Sequence, residues 1–211
     1  MTSNQMKTGT TTVGLVCKDC VVLAADMRAT AGYLIATKDT EKVVKITDNI
    51  AVTIAGSVSA IQMLERYLRS ELNLRKIQLG RDTTVKEAAN LLRNWVYSLI
   101  RQPSMMQDVS HFLIGGTDSE GLHLYDIFPD GTLSSIKTYI TSGSGSSYVY
   151  GVFETHYKEN LSEQQGIDLA IKAIDTSMQR DIASGNGINV YVIDKNGVRK
   201  VATKTVDTHV Q

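Results

Sequence analysis

The chain predicts an α+β protein built as a four-layer αββα sandwich, with two antiparallel sheets held between helix pairs. Three observations carry this expectation. Strand-like segments come in groups and helix-like segments in pairs, in the order strands, two helices, strands, two helices, strands. The regular strand–helix alternation of a parallel doubly wound sheet is missing, and grouped elements favour antiparallel sheets with helices packed outside. No Pro/Gly/Ser-rich linker, internal repeat or charge run divides the 211 residues, so a single domain is expected.

Each element has a local reason. Thr10–Val16 is rich in β-branched residues and Val21–Ala25 is a short apolar run; Lys18-Asp19 between them suits a tight hairpin turn. Val43–Ile46 and Ile50–Ala55 follow as strands around Thr47-Asp48-Asn49. Ile61, Leu64, Leu68 and Leu72 then recur at helical spacing, and Gly80 ends that pattern. Thr84-Val85-Lys86-Glu87 has the spacing of a capping box, in which hydroxyl and carboxylate each satisfy a free backbone N–H. Val85, Ala88, Leu92, Trp95 and Leu99 form one face of the helix it opens, which Pro103 closes. Strands return at His111–Ile114, Leu122–Ile127 and, more weakly, Ile136–Ile140, with Pro129-Asp130-Gly131 as a turn. Helices are expected over Ser144–Tyr157 and Ser162–Ile182, the second opening with another capping box, Ser162 to Gln165. Asn189–Ile193 and Val198–Ala202 close the series as a hairpin through Asn196-Gly197.

Composition narrows the function classes. Lys plus Arg and Asp plus Glu both total 22, so no broad positive field attracts phosphate backbones, and no nucleic-acid partner is expected. The longest apolar run, Val21–Ala25, falls far short of the roughly 18 residues that span a bilayer, so no membrane partner is expected either. Met1–Gly9 is polar, unlike a secretory signal. Two cysteines exclude a disulfide scaffold and point to a reducing cytoplasm.

Most local motifs read blandly. Cys17-Lys18-Asp19-Cys20 lacks the second ligand pair of a zinc ribbon and straddles a hairpin turn rather than opening a helix. His111, His123, His156 and His209 fit no metal-ligand spacing, and no GxSxG elbow is present; no metal or cofactor is expected. Thr141-Ser142-Gly143-Ser144-Gly145-Ser146-Ser147 precedes a helix but matches neither a phosphate loop nor GxGxxG. The start of the chain says more. Gly9-Thr10-Thr11-Thr12-Val13-Gly14 follows a polar stub. A threonine hydroxyl needs a base, and cutting after Gly9 would give Thr10 a free α-amine of reference pKa about 7.7–8.0. Taken alone, the run reads better as an edge strand rich in threonine.

Further segments give that start its context. Asp26-Met27-Arg28-Ala29-Thr30, Lys42, Thr53-Ile54-Ala55-Gly56, Gly143-Ser144-Gly145-Ser146 with Tyr150-Gly151, and Gln179-Arg180-Asp181 with Ser184-Gly185 stand in order after Thr-Thr-Thr-Val-Gly. In these the chain resembles the β subunits of the 20S proteasome, most closely the archaeal type, from Gly9 to about Ile193. Ser147, where relatives often carry proline, is one departure.

The resemblance implies an N-terminal nucleophile hydrolase fold and a threonine-type endopeptidase. Met1–Gly9 would be a propeptide removed by self-cleavage at Gly9–Thr10, leaving residues 10–211 as the working domain. Thr10 would be nucleophile and, through its amine, base; Lys42 would favour the alkoxide; Asp26 would neutralise and aim Lys42. The Gly56 backbone N–H would stabilise the oxyanion. Ser144, Asp181 and Ser184 would hold the amine. Ala29, Thr30, Val44, Ile54, Gly56 and Val58 would surround the substrate residue before the cut bond; they carry no charge, which implies cleavage after large apolar residues. The implied partners are a seven-membered β ring, rings of a related α subunit, an ATP-driven unfoldase and unfolded polypeptides. Three alternatives remain open at this point. They are a structural β subunit without activity, the bacterial two-ring relative, and amidohydrolases that use an N-terminal nucleophile on small amides.

Overall fold

The computed structural model describes residues 9–103 and 109–205. Most of the expected propeptide, Met1–Thr8, lies outside them. Two five-stranded antiparallel sheets stack face to face, with a helix pair on each outer side, as the order of elements predicts.

The first sheet runs β10-β1-β2-β11-β12. Its strands are β1 (Thr11–Val16), β2 (Val21–Asp26), β10 (Tyr139–Gly143), β11 (Gly187–Asp194) and β12 (Gly197–Thr205). The second runs β5-β6-β7-β8-β9, from β5 (Val43–Lys45), β6 (Ile50–Gly56), β7 (Ser110–Asp118), β8 (Gly121–Ile127) and β9 (Leu133–Ile136). Helices α1 (Val58–Leu79) and α2 (Val85–Ile100) cover the second sheet, and α3 (Ser146–His156) and α4 (Glu163–Met178) cover the first.

The two-residue period of the strands produces the layers. On β2, Val22 and Ala24 pack under α3 and α4, whereas Val21, Leu23 and Ala25 face the other sheet. On β6, Ile50 and Val52 pack under α1 and α2, and Ala51 faces inward. Both faces of each sheet are therefore covered, which is why Val21–Ala25 is continuously apolar instead of alternating. Both capping boxes form: Thr84 Oγ1 accepts from Glu87 N at 3.2 Å, and Ser162 Oγ accepts from Gln165 N at 3.4 Å. Gly80 ends α1 in the left-handed region at φ 64°. The Cys17–Cys20 segment is the hairpin turn expected of it, with Cys17 N donating to Cys20 O at 2.8 Å and both thiols free and buried.

Three departures matter. The expected strand Ile136–Ile140 is two strands on different sheets. The chain leaves β9, crosses at Lys137-Thr138 and joins β1 as β10, caught by Val16 N donating to Thr138 O at 2.7 Å. A small hairpin, β3 (Ala29–Ala31) with β4 (Leu34–Thr37), stands out from both sheets and escapes prediction. Its Tyr33 and Leu34 are exposed, so no core face imposes a readable alternation. Finally, α4 stops at Met178 rather than Ile182, because Arg180 N and Asp181 N both turn back to Ser177 O at 3.0 and 2.7 Å. Among the described residues, no helix is long and apolar enough to cross a membrane.

Candidate active site

Thr10 lies just before β1, between the chain crossing into β10 and the turn after α4. It is 6% exposed. Its hydroxyl donates to Gly9 O at 2.6 Å, and its backbone nitrogen donates to Ser144 Oγ at 3.3 Å. Ser144 Oγ in turn donates to Asp181 Oδ2 at 2.6 Å. Ser184 Oγ reaches the same carboxylate oxygen at 2.6 Å, and Ala183 N donates to Asp181 Oδ1 at 3.2 Å. The early end of α4 is what turns Asp181 and Ser184 toward Thr10. Gly143 explains part of the GSGS pattern. Its φ is 94°, and a Cβ there would stand 1.9 Å from Thr10 O. Gly9 is equally tight: a Cβ would fall 1.7 Å from the Ala183 Cβ, and its N–H donates to Thr30 Oγ1 at 3.1 Å.

Asp26 and Lys42 form the buried heart of the site. Lys42 Nζ donates to Asp26 Oδ1 at 2.7 Å, and the residues are 3% and 0% exposed. The carboxylate is fully engaged, because Thr11 N also reaches Oδ1 at 2.9 Å, while Gly185 N and Arg28 N reach Oδ2 at 2.9 and 3.0 Å. Burial pushes the Lys42 ammonium below its ordinary pKa; the Asp26 charge and hydrogen bond oppose that, with Asp181 adding to them. Asp26 thus links Lys42 to the strand of Thr10 through the neighbouring amide of Thr11.

The remaining expected residues sit on the second sheet and its surroundings. Gly56 ends β6 at φ 123°, where a Cβ would meet Val109 O at 2.0 Å. Ile54 N donates to Lys42 O at 2.9 Å, so Lys42 and Ile54 are neighbours across β5 and β6. Val44 and Ile54 are half-buried against the α1 and α2 core, Ala29 and Thr30 are half-buried on β3, and Val58 is exposed at the first turn of α1. Of this set, Thr30 makes a hydrogen bond to the Gly9–Thr10 segment. A cavity of about 960 Å³ beside Thr47, Arg69 and Asp118 contains none of the expected site residues.

Sequence reasoning gave no role to several residues that build the site. Arg28 Nε donates to Asn186 Oδ1 and Nη1 to Ile182 O, both at 2.8 Å, pinning the turn that carries Asp181 and Ser184 to the end of β2. Ser177 Oγ donates to Thr11 Oγ1 at 2.8 Å, and Thr11 Oγ1 lies 2.7 Å from Ser184 Oγ, so a row of hydroxyls leads to Asp181. A second row bridges the sheets: Thr53 Oγ1 donates to Thr12 Oγ1 at 3.2 Å, and Thr12 Oγ1 lies 2.7 Å from Ser142 Oγ. Strand alternation was the available signal, since it sends Thr11 and Thr12 to opposite faces of β1.

Comparisons with known proteins give the family. The family model described as proteasome subunit matches residues 6–193. A proteasome subunit beta of Methanocaldococcus vulcanius is 42% identical over 199 residues, covering 94% of this chain and 87% of its own. Its counterpart in Methanocaldococcus jannaschii is 44% identical over 192 residues, covering 90% and 84%. The one in Ferroglobus placidus is 45% identical over 185 residues, covering 88% and 86%. On a match that runs from β1 into β11 and takes in all four helices, the chain belongs to the proteasome subunit family, among the β subunits of archaeal type.

Proposed function

We propose that the chain is a precursor that cuts itself between Gly9 and Thr10 and then works as a threonine-type endopeptidase. One observation carries this reading most. The Thr10 backbone nitrogen, an ordinary amide in the uncut chain, already faces Ser144 Oγ backed by the Asp181 carboxylate. A peptide nitrogen has no need of a carboxylate behind its acceptor; an amine that shuttles a proton does.

In the first reaction the Thr10 hydroxyl attacks the Gly9 carbonyl carbon. The Gly9–Thr10 C–N bond breaks as its nitrogen takes the hydroxyl proton, and water hydrolyses the resulting ester. The hydroxyl already lies beside the Gly9 carbonyl, donating to its oxygen at 2.6 Å, and must turn from that oxygen to the carbon to attack. In the working enzyme the freed amine takes the Thr10 hydroxyl proton as the oxygen attacks a substrate carbonyl and passes it to the leaving amine; water then hydrolyses the acyl ester left on Thr10 and restores the hydroxyl. The Lys42 charge, oriented by Asp26, favours the developing alkoxide. The Gly56 backbone N–H serves the oxyanion, a role in which a lost donor typically costs about 2.7–4 kcal/mol.

The substrates are unfolded polypeptides. The subunit assembles into a seven-membered β ring stacked on rings of α subunits in the cytoplasm, supplied by an ATP-driven unfoldase. Intact-mass measurement of the assembled protein tests the processing step. A chain beginning at Thr10 is expected; one still beginning at Met1, without peptide turnover, supports the inactive structural subunit instead. Ala29, Val44, Ile54 and Val58, which the resemblance assigns to the substrate pocket, carry no charge. Fluorogenic peptides ending in a large apolar residue should therefore turn over faster than basic or acidic ones. A faster charged series would overturn that preference.

A further inference from the structure

Lys42 enters the core just after the longest exposed run among the described residues. Every residue from Ala31 to Asp39 is exposed, including the tip of the β3–β4 hairpin, with Tyr33 98% exposed. A two-stranded hairpin outside the main sheets has little to hold it still. Three residues later the Lys42 ammonium must meet Asp26 at 2.7 Å. Something between these points has to stop the motion of the excursion from reaching Lys42.

The intervening residues are anchored one after another. Thr40 N donates to Met27 O at 2.9 Å. Glu41 then takes two donors on one carboxylate oxygen: the Tyr191 hydroxyl, in a short hydrogen bond, and Lys200 Nζ at 2.9 Å. Tyr191 on β11 and Lys200 on β12 are cross-strand partners, and the Lys200 ammonium lies 5.8 Å from the Tyr191 ring centre. Tyr191 is 8% exposed and packed between the sheets, so its hydroxyl is a fixed donor. Glu41 thus docks onto the first sheet one residue before Lys42 and Val43 join the second.

We propose that Glu41, held by Tyr191 and Lys200, is a positioning residue for Lys42, isolating the buried ammonium from the exposed β3–β4 excursion. The proposal rests on the reading of Lys42 given under Proposed function. The tether acts through geometry, so an uncharged acceptor of the same shape will serve. Its loss lets Lys42 drift from Asp26 without altering the substrate pocket, and misplacement by ~1 Å can cost up to about 10²-fold in rate.

The experiment compares Glu41→Ala, Glu41→Gln, Tyr191→Phe and Lys42→Ala in the assembled particle with a fluorogenic peptide. Glu41→Ala should lower kcat about tenfold with KM changed less than about twofold. Tyr191→Phe, which removes one hydroxyl and keeps the packed ring, should lower kcat about threefold. Glu41→Gln should stay within about twofold of the unaltered protein. A merely structural anchor would lower the unfolding temperature while leaving kcat per assembled particle intact, and that result overturns the proposal. So does a Glu41→Gln variant as slow as Glu41→Ala, or a rise in KM at constant kcat. If Glu41→Ala fails to assemble, Tyr191→Phe decides the matter: unchanged kcat sinks the tether. Full activity in Lys42→Ala would instead remove the reading of Lys42 itself, which keeps the two failures apart.

Discussion

Thr10→Ala is expected to give an assembled but uncut chain that retains residues 1–9, with peptide turnover reduced on the order of 10⁶-fold, as when other hydrolases lose their nucleophile. Intact mass and fluorogenic peptides read both effects in one preparation. The fold should survive. Among the described residues the Thr10 hydroxyl makes one hydrogen bond, to Gly9 O, and losing such a bond costs about 1 kcal/mol. The strand is held independently, through β2 and β10 and through Thr11 and Thr12. An inactive structural subunit would behave alike with and without the substitution. Turnover near the unaltered rate in Thr10→Ala would refute the threonine mechanism, since no other residue in the network can supply both a nucleophile and an amine.

Asp26→Ala should have the second largest effect, on stability as well as rate. It strips the carboxylate that accepts from Lys42, Thr11, Arg28 and Gly185, at a residue with 0% exposure. Removing one partner of a buried pair strands the other charge, at a typical cost of about 3–5 kcal/mol. Chemical denaturation should show a loss of that order, together with near-complete loss of peptidase activity. The pH dependence has a definite sign. Burial already holds the Lys42 pKa below the ordinary 10.5, so between the lowered value and 10.5 the unfolded chain binds more protons than the folded one. The Lys42 contribution to stability therefore improves as pH rises through that window. Without Asp26 to oppose burial, the window should open at lower pH. A variant as stable as the parent at neutral pH would contradict the assignment of Asp26 as the counter-charge that burial requires.

The sandwich was legible because two periods were legible. Helical spacing from Ile61 to Leu72 and from Val85 to Leu99, with capping boxes at Thr84 and Ser162, located three helices to within a few residues. Strand positions followed from β-branched runs. What failed was local to places where the chain changes partners. Ile136 and Ile140 look like one strand because both are apolar, yet Ile136 ends β9 and Ile140 follows Tyr139 at the start of β10, on the other sheet. The β3–β4 hairpin was missed since exposed Tyr33 and Leu34 carry no in–out pattern. At the site, the resemblance nominated Thr10, Asp26 and Lys42, and the geometry joins Thr10, Ser144, Asp181 and Ser184 into one connected set. Thr53, Ser142, Ser177 and Glu41 stayed invisible, because a buried hydroxyl or a half-exposed glutamate has no signature in one dimension. Their contacts join positions 41 to 166 residues apart.

The charges around Thr10 have a consequence for what cleavage creates. Asp26 and Asp181 contribute two negative charges; Lys42 and Arg28, bonded into the same network, contribute two positive ones. A new α-amine would therefore be born into a neighbourhood whose ledger already stands at zero. A surplus of acids would trap it as ammonium, and a surplus of bases would strip its proton too readily. In a balanced field no net charge pushes its protonation either way. The neutrality first noticed in the whole chain thus recurs at the scale of a few ångströms, around the residue where cleavage would free an amine.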